Sequence, residues 1–200
     1  MPQGRRLAAV IALLFAATAA VVLLLYHVRP RPQDAADADA ALAALARALP
    51  ALVVHERPRP LPADLAVAGA EGPVKIFAAS GRWRLVNFWA TWCGPCVEEL
   101  PTLDRLQAEL GGAGFAVVLV SLDAAPAGEV RAALGGYGVG HLDTLRDPEL
   151  ASMGALAIPG LPTTILVDPR GREVARLVGP AKWDAPAVRD ALRRLVGAQS

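Results

Sequence analysis

Cysteine is almost missing from this 200-residue chain: Cys93 and Cys96, in a single C-x-x-C, are the whole supply. A small domain stapled by disulfides needs more cysteines, spread along the sequence. A structural zinc site needs two further ligands at suitable spacing, and none accompanies the pair. Histidine is sparse as well, with His27, His55 and His141 scattered singly. Charge of one sign is also lacking: 20 Lys and Arg face 19 Asp and Glu, with no basic cluster in the body of the chain. Nothing in that balance points to nucleic acid. Internal repeats are absent. Apolar residues are in excess, at 54% against the roughly 45–50% of ordinary globular domains. The excess comes from an Ala- and Leu-rich start and an Ala-rich body.

Leu7 to Val28 (LAAVIALLFAATAAVVLLLYHV) carries no charge before His27. About 20 apolar residues suffice to cross a bilayer as a helix, so 7–28 reads as a membrane span. Arg5 and Arg6 before it favour a cytoplasmic N-terminus, although Arg29 and Arg31 after it weaken the asymmetry. A cleaved signal peptide is the competing reading, with small residues at Ala16–Ala20 or Ala35–Ala40 as cleavage sites. Either reading exports the rest of the chain. The expected organisation is an anchor over 1–28, a Pro/Ala-rich linker over 29–62 and one domain over 63–200. Within the linker, Ala38–Leu49 suits a short helix ended by Pro50, and Arg57–Pro62 (RPRPLP) a stiff spacer.

From Leu65 onward strand and helix signals alternate. Leu65–Val67 and Val74–Phe77 suggest a small hairpin, and Leu85–Ala90 (LVNFWA) a buried central strand. Val97, Leu100, Leu103, Leu106 and Leu110 have helical spacing, and Gly111 follows as a stop. Phe115–Leu122 is a continuous apolar strand of the kind covered on both faces. Helices over Gly128–Leu134 and Pro148–Met153 follow, then a strand Thr163–Val167, a turn at Asp168–Gly171, a strand Glu173–Val178 and a helix Ala185–Val196. This order predicts a three-layer α/β domain.

The C-x-x-C falls where an apolar strand passes into a helix. Cys93 then lies at the helix N-terminus, where free N–H groups and the helix dipole stabilise a thiolate. Cys96, a turn deeper, can resolve the mixed disulfide that Cys93 forms. Pro95 fits the first helical turn, where its missing N–H costs nothing. A permanent disulfide or two inert thiols would be the plain alternative, but a disulfide closing so short a loop gains little stability and suits a labile role. Trp92 flanks the nucleophile as an apolar platform, and Trp89 belongs to the core. The loop Gly135–Gly140 (GGYGVG) lacks the Lys-Ser/Thr pair of a phosphate site.

Asn87–Pro101, NFWATWCGPCVEELP, resembles the active-site segment of the thioredoxin superfamily, most closely its TlpA/ResA-like branch. Gly160–Asp168, GLPTTILVD, is similar to that family's cis-proline loop and the strand after it. The resemblance implies a thioredoxin fold, α/β/α with a central mixed sheet. It implies that Pro162 is a cis-proline facing the dithiol and that Leu161 offers backbone groups to a substrate strand. Trp92, Gly94 and Pro95 complete the expected substrate-contacting set. Asn87 stands where cytoplasmic thioredoxins carry a buried carboxylate, so Cys96 needs another base. By the same resemblance Glu99 takes that role, against the plainer reading of Glu98 and Glu99 as solvated first-turn residues.

The implied activity is thiol–disulfide exchange, with no metal and no cofactor beyond the redox-active Cys93–Cys96 disulfide. Expected partners are exported proteins with cysteine pairs, apocytochrome c or copper-site proteins among them. A membrane thiol reductant is expected as electron donor, and the inner membrane as support through residues 7–28, with the catalytic domain in the periplasm. A disulfide-forming oxidase stays open. So does a Cu(I) carrier using the same sulfurs, for which Met153 and His141 are the only further ligands in view. A peroxidase of the same superfamily fits the C-x-x-C and cis-proline pattern poorly.

Overall fold

The computed structural model describes Thr18 and residues 32–198. The expected anchor over 1–28 lies, Thr18 apart, outside the described residues. Among the described residues no helix is long and apolar enough to cross a membrane. The elements run α1 (Pro32–Ala48), β1 (Leu52–Arg59), β2 (Ala66–Gly69), β3 (Gly72–Lys75), β4 (Trp83–Trp89) and α2 (Gly94–Leu110). They continue with β5 (Phe115–Ser121), α3 (Ala127–Gly136), β6 (Thr144–Arg146), α4 (Ala151–Ala155), β7 (Thr163–Val167), β8 (Glu173–Val178) and α5 (Pro186–Gly197).

The strands form one mixed sheet in the order β1-β8-β7-β4-β5-β6-β2-β3. β4, β5 and β6 are parallel neighbours, joined through α2 and α3, while β7 runs antiparallel beside β4 and β8 antiparallel beside β7. The alternating pleat sends each strand's side chains to two cores. Leu85, Trp89, Val117, Leu119, Leu166, Ala175 and Leu177 face one core, filled by Leu100, Leu103 and Leu106 of α2, Val130 and Leu134 of α3, and Val188, Leu192 and Leu195 of α5. Val86, Phe88, Val120, Ile165 and Val167 face the other, closed by Val67, Ile76, Phe77, Leu156 and Ile158. The three layers are therefore uneven: most helices share one side, with the β2–β3 hairpin region and the short α4 on the other.

Within the expected linker over 29–62, the described residues form two ordered elements, the first of which contains most of the short helix expected over Ala38–Leu49. α1 lays Ala41, Leu42 and Leu45 into the first core, with Leu49 and Leu52 after it, and full burial of a Leu contributes about 1.5–3 kcal/mol. β1 pairs antiparallel with β8, from Leu52↔Leu177 to Arg59↔Glu173. Pro58, taken as part of a stiff spacer, is tolerated because β1 is an edge strand whose register shifts between Val54 and Arg59. His55 joins the two strands through Glu173, 2.8 Å away. The folded unit thus begins well before residue 63. An Ala-rich helix and a Pro-containing edge strand have the composition of a spacer, and only their packing distinguishes them from one.

Candidate active site

Strand β4 is buried along its whole length, and the site begins where it runs out. Cys93 N–H donates to Ala90 O at 3.1 Å, which turns the chain toward α2. Cys93 is the extended N-cap of that helix (φ −94, ψ 96), and Cys96 N–H donates to its Sγ at 3.3 Å. The two cysteines are joined as a disulfide, their Cα atoms 5.2 Å apart. Cys96 is fully enclosed, and Cys93, expected as the open member, is only 7% exposed. Its order of access relative to Cys96 stands, but the sulfur lies beneath its neighbours. Gly94, Pro95 and above all Trp92, 72% exposed, form the accessible rim. Trp89 points inward, donating to Thr144 Oγ1 at 3.1 Å and meeting Tyr137 edge to face.

β4 and β7 run antiparallel with Phe88 opposite Thr163. The loop leaving β4 and the loop entering β7 therefore share one end of the sheet. That register brings Leu161 and Pro162 to the dithiol end. The Leu161–Pro162 peptide is cis. Its loop is held by Gly179 N–H donating to Pro162 O at 2.8 Å and by Thr163 Oγ1 donating to Gly160 O at 2.7 Å. Leu161 is half-buried against the core that contains both cysteines.

Glu99 lies one turn below Cys96 and is not a solvated first-turn residue. It is 2% exposed, whereas Glu98 faces solvent. Asn87 Nδ2 donates to its Oε1 at 2.7 Å, and Ala181 N–H and the Trp183 indole donate to its Oε2 at 2.9 and 3.1 Å. Burial pushes its pKa up to about 7, with the Ala181, Asn87 and Trp183 donors pulling the other way. The loop after β8 is latched to the same helix by Trp183 N–H donating to Thr102 Oγ1 at 3.2 Å.

Sequence reasoning passed over a second carboxylate. Asp123, just after β5, is buried and accepts from Thr91 N–H, Thr91 Oγ1 at 2.6 Å and Ser121 Oγ at 2.7 Å. It fixes the loop that carries Trp92 and Cys93 by holding Thr91 through both its N–H and its hydroxyl. The one available signal is an Asp directly behind a strand that is otherwise apolar. The further ligands considered for copper are not gathered at the sulfurs. Met153 packs into the opposite core, and His141 is engaged by Asp104 at 2.8 Å. Asp104 is eight residues beyond Cys96, about 12 Å along the helix axis. Among the described residues no group of three or more His, Cys, Asp or Glu could hold a metal ion.

Residues 49–194 match the Redoxin family. The chain is 28% identical over 110 residues to the thiol-disulfide oxidoreductase ResA of Bacillus subtilis, covering 53% of this chain and 58% of that one. It is 32% identical over 117 residues to the thiol:disulfide interchange protein HelX of Rhodobacter capsulatus, covering 58% and 64%. The chain thus spans about three fifths of the length of these curated relatives. Among solved structures, a thiol:disulfide interchange protein of the thioredoxin family from Chlorobium tepidum superposes with a TM-score of 0.53 at 26% identity, covering 73% of this chain and 99% of that one. StoA of Bacillus subtilis, at 20% identity and a TM-score of 0.53, covers 72% and 98% and shares the fold.

Proposed function

Since the chain belongs to the Redoxin family, as a TlpA/ResA-like member of the thioredoxin superfamily, we propose that it is a thiol–disulfide oxidoreductase working through Cys93 and Cys96. The observation that carries this reading is a dithiol pair at a helix N-terminus with a buried carboxyl, titrating near neutrality, one turn below it. In the reduced protein the Cys93 thiolate attacks a client disulfide, forming a mixed disulfide and releasing one client thiolate. Cys96 then gives up its proton and attacks Cys93 Sγ. The Cys93–Cys96 disulfide forms, the second client sulfur leaves as thiolate, and two electrons have passed to the client. The N–H of Cys96, which meets Cys93 Sγ in the disulfide, favours the thiolate of the reduced state.

Glu99 is the proton acceptor for Cys96, since a carboxyl titrating near 7 can take up and return a proton at physiological pH. Leu161 and Pro162 present backbone to an extended client segment, and Trp92, Gly94 and Pro95 form the apolar rim against which it lies. The clients are exported proteins with cysteine pairs, of the apocytochrome c or copper-site class. The net direction is reduction, with electrons returned by a membrane thiol reductant. Residues 7–28 hold the protein to the inner membrane with its domain in the periplasm.

The test is capture with Cys96→Ala, in which a Cys93 mixed disulfide cannot resolve. Haem-binding or copper-site proteins released from it by reductant are the expected result. Wild-type protein inert toward model disulfides, with no adduct on the variant, would sink the assignment.

A further inference from the structure

The surroundings of Glu99 contain a contradiction that one residue can resolve. Its neighbours are donors: Asn87 Nδ2 on one oxygen, and the Ala181 N–H and Trp183 indole N–H on the other. Such a shell suits a carboxylate and has no acceptor for a carboxylic acid. Yet burial brings this group to titrate near 7, so both forms are populated at neutral pH. Oε2, with two N–H groups aimed at it, has no room for the proton. Oε1 accepts from Asn87 alone among the described residues.

Asn87 is fully buried at the middle of the sheet, and its Oδ1 has no hydrogen-bond partner. Its Nδ2 donates both to Glu99 and, at 2.9 Å, to Thr164 Oγ1 on β7. A half-turn of the amide exchanges oxygen and nitrogen with little change of shape. After that turn Oδ1 occupies the place of Nδ2, where it can accept from a protonated Glu99 Oε1 and from the Thr164 hydroxyl, which donates as readily as it accepts. One amide atom is left without a partner in either orientation, so the two states are matched in hydrogen bonds.

We infer that Asn87 is a positioning residue that reverses with the proton on Glu99: its amide donates to the carboxylate and to Thr164, and turns over to accept from the carboxylic acid and from Thr164. Only a proton moves, between Cys96 and Glu99 Oε1. No buried donor is left facing a proton. The inference deepens the reading of Glu99 as proton acceptor and rests on it for its use in exchange. β4 and β7 present Asn87 and Thr164 to Glu99, neither of which ionises. Its own helix carries the cysteine sulfurs and the outward-facing Glu98, and Lys182, between Ala181 and Trp183, is exposed. No ion pair of Glu99 occurs among the described residues to set the proton by charge.

Asn87 is the chain's sole asparagine, so labelling with 15N-asparagine gives a single side-chain amide signal. The full chain, oxidised and in detergent so that neither cysteine titrates, is followed by NMR from pH 5 to 9. Nuclear Overhauser contacts from the Asn87 NH2 to Thr164 should be present at pH 9 and lost at pH 5, with the midpoint of the Glu99 carboxyl 13C titration. Contacts that persist while Glu99 titrates overturn the inference, as does a Glu99 with no midpoint in that range. Asn87→Leu gives a second reading. Losing a fixed donor would raise the Glu99 midpoint by about one to two pH units. A reversing partner is lost to both forms, so the expected rise is below about half a unit. Resolution of mixed disulfides by Glu99→Gln at the wild-type rate would remove the base reading alone, because the turning of Asn87 is read in protein that does no exchange.

Discussion

Replacing Glu99 by Gln should flatten the pH dependence of the oxidised protein's stability between pH 5 and 8. In the folded chain burial lifts this carboxyl from an ordinary 4.5 to about 7, against the pull of the Ala181, Asn87 and Trp183 donors. An acid with a raised folded pKa binds its proton more tightly folded than unfolded. Its contribution to stability is complete below 4.5 and disappears as pH rises through about 7. Worked from those two values, wild-type protein loses roughly 2.5 kcal/mol from this one group between pH 5 and 8. Glu99→Gln keeps the volume and cannot ionise, so its curve lacks that fall.

The assay is urea unfolding of both proteins with the Cys93–Cys96 disulfide intact, at half-unit pH steps. With a slope of about 1–3 kcal/mol per molar urea, the separation between the two curves should change by about 1 M or more across the range. Every other ionisable group is common to both proteins, so its contribution subtracts. Glu173 is held below its ordinary value: burial pushes it up, and Arg176 and His55 outweigh that. Its contribution is lost only at more acid pH. Curves that run parallel from pH 5 to 8 would refute the placement of a neutral-titrating carboxyl beneath the dithiol.

Three further outcomes follow from the packing. A chain beginning at residue 63 lacks α1 and β1 and should show no cooperative unfolding, whereas Leu45→Ala in the whole chain should lower stability by about 2–5 kcal/mol in urea. Asp123→Ala strands the half-buried Thr91 donors and the buried Ser121 hydroxyl. It should lower stability by about 2–3 kcal/mol and slow disulfide exchange in a model-disulfide assay, while Thr91→Val loses about 1 kcal/mol. Gly171 has φ +84, and a Cβ there would lie 2.2 Å from Phe77 O. Gly171→Ala should cost about 1–3 kcal/mol, read as a lower thermal midpoint with exchange chemistry unchanged.

Much of the fold is legible along the chain because its strands are continuous apolar runs. LVNFWA and FAVVLVSL leave no doubt about buried strands, and the apolar spacing of Val97, Leu100, Leu103, Leu106 and Leu110 specifies α2. The start of the folded unit is not legible, for a physical reason. Ala-rich sequence serves a solvated helix as well as a helix seated closely on a sheet, and Pro58 serves a spacer as well as an edge strand. Leu42, Leu45, Leu49 and Leu52 decide between these only once β8 and α5 are in place to receive them. β6, with three residues, is too short to carry a periodicity at all.

The site divides in the same way. Cys93, Cys96, Trp92 and Pro95 are contiguous, so one strand-to-helix junction reveals them together. The polar network beneath them is assembled from distant parts of the chain. Glu99 meets Asn87 twelve residues back, Trp183 eighty-four residues on, and through Asn87 reaches Thr164 on β7. None of these partners carries a local signal, since Asn, Thr and Trp each have ordinary structural uses. Sheet order is what makes them neighbours: β4 between β5 and β7 sets Asn87 opposite Thr164, and the return of the chain after β8 brings the Trp183 indole onto α2. The reactive sulfurs can therefore be read locally, whereas the proton chemistry that supports them depends on the closed sheet. Variants in that network should accordingly change the pH at which exchange proceeds before they change whether the disulfide can form.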